Sequence, residues 1–286
     1  VNYKDLAGQA FEKSLDFKSS ANIDLASPIN IFDICEHQKI TVRFLDISME
    51  GMYMQAARPQ ILLSSLRPLV RRVFNCAHEL GHHLFNDGTT VDALLEDFQS
   101  ATVRKSPKEF RADAFAGFCL MPVLGVRKAF AIRKLKINTA LPVELYTIAC
   151  DFGVGYETLL THLTFGLKEL AETRFNILSR ETPQKIRKQI LGFETSDPLI
   201  IADEFSAQTP IDAEVGTRIL FPNDVQVEGD LLNLELLLFG GRLYRCQRPG
   251  IARALASNRQ WATFIRIAKF QFVGLSRFRH LEEIDE

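Results

Sequence analysis

Apolar residues recur at helical spacing through DLAGQAFEKSLDF (residues 5–17), and this predicts an amphipathic helix. The period then shortens. KITVRFLDI (39–47) and QILLSS (60–65) are rich in β-branched and aliphatic residues and predict strands. RPLVRRVFNCAHELGHHLFN (67–86) returns to a helical pattern, with its one proline in the first turn, where no backbone hydrogen bond is lost. A polar stretch follows from Asp87 to Lys108 and is expected to be a mobile loop. A second apolar helix, residues 107–121, then stops at Pro122. Residues 141–170 read as two short helices around the Gly153 to Gly155 turn, a helix-turn-helix-like shape. The second of these carries no arginine cluster, so packing explains the shape better than DNA reading does. After the charged segment ETPQKIRKQ the pattern changes near Ser196. TRILF, DVQVEG, LLNLELLLFGGRLYRCQ and TFIRIAKFQFVGL alternate between Gly, Pro and Asn turns and predict a strand-rich domain. The fold class is therefore α+β. The expected divisions are 1–135, a helical segment and linker at 136–195, and a strand-rich domain at 196–286.

Composition adds bounds rather than detail. With 47% hydrophobic and 24% charged residues in 286, the chain can build a sizeable core and is neither disordered nor fibrous. The longest uncharged stretch, Ala114 to Val126, contains Pro122 and is too short to span a bilayer, so no membrane partner is expected. The N-terminal residues lack the apolar block of a secretory signal. Five scattered cysteines form an odd set, read as reduced thiols in a cytoplasmic protein.

The chemistry concentrates at His78-Glu79-Leu80-Gly81-His82, an HExxH pattern. At about 100° per residue, His78 and His82 lie one helical turn apart on nearly one face, where both imidazoles can reach one zinc ion. Glu79 projects from the adjacent face, as a carboxylate that takes a proton from water must. Catalytic zinc takes three protein ligands, so a third must come from elsewhere. Residues 85–88 are Phe, Asn, Asp and Gly, which excludes a third histidine directly downstream. Glu109 and Asp113, one turn apart on the second helix, are both candidates. His83 is rotated by about 100° from His82 and cannot share the ion. Cys76 lies about 160° around the helix from His78 and is read as packing, as are Phe110, Phe115 and Phe118.

Three linked pieces resemble the ImmA/IrrE zinc peptidases, which cleave helix-turn-helix repressors of the XRE type. They are ILLSSLRPLVRRVFNCAHELGHHLF, EFRADAFAGFCLMP and LYTIACDFGVGYETLLTHL, with weaker similarity upstream through SPINIFDICEHQKITV and Gly51. The resemblance implies a zincin-like, mostly helical peptidase domain with a small sheet. It also implies zinc as cofactor, Glu109 as third ligand, Asp113 as the residue that orients a histidine, and an XRE-type repressor as substrate. Arg111 departs from the pattern where many members carry a second Glu, and Asn75 and Cys76 replace the usual residues before Ala77.

The resemblance does not reach past about residue 195, although some relatives carry a GAF-like sensory domain there. From Gly241 to His280 the chain has nine bases and no acid: Arg242, Arg245, Arg248, Arg253, Arg259, Arg266, Lys269, Arg277 and Arg279. Aromatic residues are interleaved, which is the pattern of a single-stranded nucleic-acid surface. On that reading single-stranded DNA is an activator, and the resemblance implies a role in damage response or antiphage defence, with which some relatives are associated. The competing reading has the aromatics facing inward and the bases paired with acids such as Glu228, Asp230 and Glu235. Against the peptidase stands a non-catalytic regulator in which zinc is structural, which would need a fourth protein ligand.

Overall fold

In a computed structural model, residues 2–92, 106–258 and 260–281 are described. They divide into two compact units. One comprises Val1–Lys128, Phe165–Lys168 and Val273–Arg277; the other comprises Ala129–Thr164, Glu169–Phe272 and Phe278–Glu286. Helices and three sheets among the described residues make the chain α+β. No single helix there is long and apolar enough to cross a membrane.

The first unit opens with α1 (Tyr3–Ser20), capped by the Asn2 side chain, and α2 (Ile31–His37), capped by Asn30. Strands β1 (Thr41–Leu45), β2 (Gly51–Met54) and β3 (Gln60–Ser64) follow, then α3 (Leu69–Leu84), β4 (Thr90–Asp92) and α4 (Pro107–Leu120). In the sheet, β1 pairs parallel with β3 and antiparallel with the short strand Gly274–Leu275, while β2 lies between β3 and β4, antiparallel to both. Alternation decides the faces: Val42 and Phe44 are buried while Arg43 is exposed, and Ile61 and Leu63 are fully buried. α3 packs on β2 and β3 and, on its other side, on α4, which also packs on α1. Aromatic edges seal that last contact, Phe17 against Phe115 and Phe11 against Phe118. α4 starts where Ser106 accepts from the Glu109 N–H and Pro107 takes the first helical position. Residues 93–105, most of the expected loop between α3 and α4, lie outside the described residues.

Gly81, inside the HExxH pattern, sets the spacing of α3 and α4. A Cβ there would meet Ala112 Cα and a Phe115 ring carbon at 3.2 Å each. The α5 helix (Val123–Ile132) begins directly after Pro122.

The second unit contains α6 (Pro142–Asp151) and α7 (Tyr156–Thr161) around Gly153, whose φ of 62° makes the turn. Next come α8 (Glu172–Leu178) and α9 (Pro183–Leu191), the latter capped by Thr182 and closed by Gly192 in the left-handed region. The charged ETPQKIRKQ segment is thus largely helix. Strands β5 (Leu199–Ile201), β6 (Ile211–Glu214), β7 (Arg218–Phe221) and β8 (Val225–Glu228) precede β9 (Leu232–Leu238), β10 (Gly241–Cys246), β11 (Gly250–Ala256) and β12 (Ala262–Ala268). They form two four-stranded sheets, β5-β7-β10-β9 and β6-β12-β11-β8. One core joins side chains of both sheets, including Ile219, Phe221, Tyr244, Ala254, Trp261 and Ile265. Within this unit Arg133 pairs with Asp203 at 2.6 Å and with Asp151 at 2.7 Å, and Ser206 Oγ bonds both aspartates.

Candidate metal centre

His78 and His82 are buried on the face of α3 that meets α4, with their Nε2 atoms 3.0 Å apart. Glu109, in the first turn of α4, brings Oε2 to 3.1 Å from His78 Nε2 and Oε1 to 3.4 Å from His82 Nε2. The ligand atoms of this trio all lie within 4.8 Å of one another, so the group could hold a metal ion.

The outer nitrogens of both rings are also engaged. Asp113 Oδ1 lies 2.8 Å from His78 Nδ1, and Asp87 Oδ2 lies 3.0 Å from His82 Nδ1. A carboxylate only accepts, so each Nδ1 carries the hydrogen and each Nε2 is left with its lone pair. Two such lone pairs and a carboxylate facing one another at about 3 Å repel unless a cation lies among them. Two imidazoles and one carboxylate, with carboxylates behind the imidazoles, form a donor set that suits zinc. When protons rather than an ion occupy the Nε2 atoms, hydrogen bonds from His78 and then His82 hold the Glu109 pKa far below its ordinary value. Burial works against charge on His82, but Glu109 and Asp87 outweigh it and raise that pKa.

Asp87 escaped the sequence reading. It follows Asn86, whose φ of 54° turns the chain back under the helix end, so the Asp87 N–H donates to His82 O at 3.1 Å. The available signal was an aspartate placed just after a helix that ends in histidines. Arg111, singled out only as a departure, donates to Asp87 Oδ1 at 2.8 Å and stacks over Phe85.

Glu79, on the neighbouring face of α3, is fully buried, and its Oε2 accepts a hydrogen bond from the Thr90 hydroxyl at 3.2 Å. His83 Nδ1 lies 2.7 Å from the Tyr53 hydroxyl. Burial lowers the pKa of His83 and raises that of Tyr53. Asn75 donates to the Glu50 backbone oxygen and side chain, at 3.1 and 2.9 Å. Cys76 is buried with its Sγ 3.9 Å from Cys35 Sγ, while Phe115 and Phe118 are core.

The C-terminal bases meet acids brought in from other strands and loops. Arg245 pairs with Asp197 and Glu235, Arg248 with Asp230, Arg253 with Glu228, and both Arg266 and the buried Arg279 with Asp212. Arg242 donates to the Asn223 backbone oxygen, and Lys269 is exposed. Arg277 belongs to the first compact unit, and Arg259 lies outside the described residues. Tyr244 and Trp261 are core, whereas Phe264, Phe270 and Phe278 are exposed. From Ser196 onward the chain holds 13 Asp and Glu against 10 Lys and Arg, so the basic run sits in an acidic region.

Two histidines one helical turn apart, a carboxylate from a second helix and a buried glutamate between the histidines in sequence are the constellation of a metallopeptidase. Residues 35–164, the stretch that holds His78, Glu79, His82 and Glu109, match the family model described as "Peptidase_M78: IrrE N-terminal-like domain", which supports a peptidase domain of the ImmA/IrrE type in that part of the chain. Comparison with curated protein sequences gives no match. Among solved structures, a Mycobacterium tuberculosis transcriptional regulator is similar at 17% identity and a TM-score of 0.36, over 56% of this chain and 46% of that one.

Proposed function

We propose that the protein is a zinc-dependent endopeptidase that cleaves an XRE-type helix-turn-helix repressor and so derepresses stress-response or defence genes. The observation that carries the reading is the convergence of His78 Nε2, His82 Nε2 and Glu109, with Asp113 and Asp87 fixing the two rings. Three donors, rather than four, group there among the described residues, which favours a catalytic over a structural site. His78, His82 and Glu109 would hold the ion, which when bound supplies a Lewis acid for the scissile carbonyl and for the attacking water. Glu79 accepts a proton from that water on its carboxylate and returns it to the leaving amine. Asp113 and Asp87 keep both imidazoles in the tautomer whose Nε2 can ligate.

The substrate class follows from the family rather than from the geometry. Incubating the zinc-loaded protein with an XRE-type repressor encoded beside it, and reading fragment masses, tests it. A repressor left intact by wild type, or cut equally by Glu79→Gln, sinks the reading. Single-stranded DNA is the proposed activator. Exposed Phe264 and Phe270 beside Arg266 and Lys269 in the chain support it, and the ion pairs of Arg245, Arg248, Arg266 and Arg279 count against it. Absence of oligonucleotide binding at low salt removes this part alone.

A further inference from the structure

The α3 helix carries a second stripe besides the histidine pair. Asn75, Glu79 and His83 recur every four residues on the face that meets β2, and each has a partner on or beside that strand. Asn75 holds Glu50, His83 meets Tyr53, and between them Glu79 lies against Gly51. A Cβ on Gly51 would fall 2.6 Å from Glu79 Oε1 and 3.1 Å from its Cγ, so the carboxylate would have to leave its place to make room. Glycine at position 51 therefore lets the carboxylate sit where it does. On the other side Thr90, on β4, donates to Oε2 at 3.2 Å. β4 is the neighbour of β2 in the sheet, with Gly51 opposite Asp92 and Tyr53 opposite Thr90.

We propose that Gly51 and Thr90 are positioning residues for Glu79: the missing side chain of Gly51 and the hydroxyl of Thr90 clamp the two carboxylate oxygens in the orientation that the reaction uses. The clamp is built on strands rather than on α3, so β2 and β4 set the aim of Glu79 while α4 brings in Glu109 as the third metal ligand. Asn75 secures the register by holding Glu50, the residue immediately before Gly51. The inference rests on Glu79 being the base of the proposed peptidase, and two elements of the structure carry it independently, a steric gap and a hydrogen bond.

The test uses the full chain loaded with one equivalent of zinc and acetohydroxamate as probe, because its hydroxyl hydrogen-bonds to a carboxylate beside the metal. Wild type, Thr90→Val, Thr90→Ser, Gly51→Ala and Glu79→Gln are titrated by calorimetry, with zinc affinity measured by chelator competition and folding by thermal melts. Thr90→Val should lose about tenfold in acetohydroxamate affinity, the size of one hydrogen bond to a charged group, with zinc affinity within about twofold of wild type. Thr90→Ser should recover wild-type affinity, which a packing role for the Thr90 methyl would not allow. Gly51→Ala should lose more than Thr90→Val, again at constant zinc affinity. Where Gly51→Ala does not fold, the Thr90 pair decides alone. Wild-type acetohydroxamate affinity in Thr90→Val, with Glu79→Gln impaired, overturns the clamp and leaves the peptidase reading standing. Wild-type affinity in Glu79→Gln itself overturns both.

Discussion

Arg111 Nη2 lies 2.8 Å from Asp87 Oδ1, and the other Asp87 oxygen lies 3.0 Å from His82 Nδ1, so an arginine on α4 steadies a ligand on α3 through one carboxylate. The Arg111 guanidinium also stacks 4.0 Å from the Phe85 ring centre, which fixes its direction. Partners behind a metal-ligating histidine are worth about 10- to 100-fold in metal affinity. Asp87→Asn should cost zinc affinity in that range. Arg111→Ala, one step further out, should cost about threefold to tenfold by the same reasoning. Competition against a chromophoric chelator measures both. Undiminished affinity in Arg111→Ala, with a loss in Asp87→Asn, would show the arginine to be idle.

The two glutamates near the histidines should separate cleanly. Glu109 faces both Nε2 atoms, whereas Glu79 sits on the neighbouring face, buried between β2 and Thr90. Glu109→Ala removes a negative donor and should lower zinc affinity by about 100-fold or more, since closing a site with two imidazoles alone leaves it incomplete. Glu79→Gln should bind one zinc as wild type does and cleave no repressor. Stoichiometric, tight zinc binding by Glu109→Ala would contradict its assignment.

How far the sequence led depended on whether a residue's partners were local. His78, His82 and Glu79 were legible because one helix fixes them at 100° per residue, and α4 was legible because Pro107 and Pro122 bracket it. Glu109 and Asp113 needed the family resemblance, because nothing in spacing says which carboxylate of a second helix turns inward. Asp87, Thr90 and Gly51 were missed as site residues because their roles arise from a left-handed turn at Asn86 and from strand pairing, both tertiary facts. In the second unit β11 went unread because GIARALA is poor in β-branched residues. Its alanines are buried where sheet packs on sheet, and that packing overrides strand propensity. The nine-base run is a different case. Arg245, Arg248, Arg266 and Arg279 pair with Asp197, Asp212, Asp230 and Glu235, and of these acids the sequence suggested Asp230 and Glu235 but not Asp197 and Asp212, which strand pairing and loops bring in from distant positions.

Gly81 offers a test of the α3 and α4 contact on which the metal site depends. Replacing a mid-helix glycine by alanine stabilises by about 0.5–1 kcal/mol through the unfolded chain. A new Cβ at 3.2 Å from Ala112 Cα demands a shift of a few tenths of an ångström, which offsets that gain. Gly81→Ala should therefore stay within about 1 kcal/mol of wild type by these opposing terms. Gly81→Val adds two methyls to the same gap and should lose about 2–3 kcal/mol, the range for overpacking a tight core. It should also weaken zinc binding as α4 carries Glu109 away. Denaturant melts with equal folding free energies for all three would show that the helices are free to separate.

A pH effect should appear in the second unit at Asp151. Its carboxyl is buried, and burial first, with the neighbouring Asp203 adding to it, pushes the pKa up to about 6 despite Arg133 and the Ser206 hydroxyl. Arg133 is shared with Asp203, which binds it through both carboxylate oxygens, so Asp151 receives only part of that positive charge. A folded-state pKa above the unfolded one means that the folded chain holds the extra proton between about pH 4 and pH 6. The contribution of Asp151 to stability is complete below that window and is lost as pH rises through it. Asn cannot ionise, so Asp151→Asn should match wild type near pH 4 and become progressively more stable than wild type toward pH 6, with no further change above. Because other carboxylates titrate in the same range, the quantity to follow is the difference in melting temperature between the two proteins. A difference that stays constant across the window, or that moves in favour of wild type, would mean that Arg133 keeps Asp151 ionised throughout.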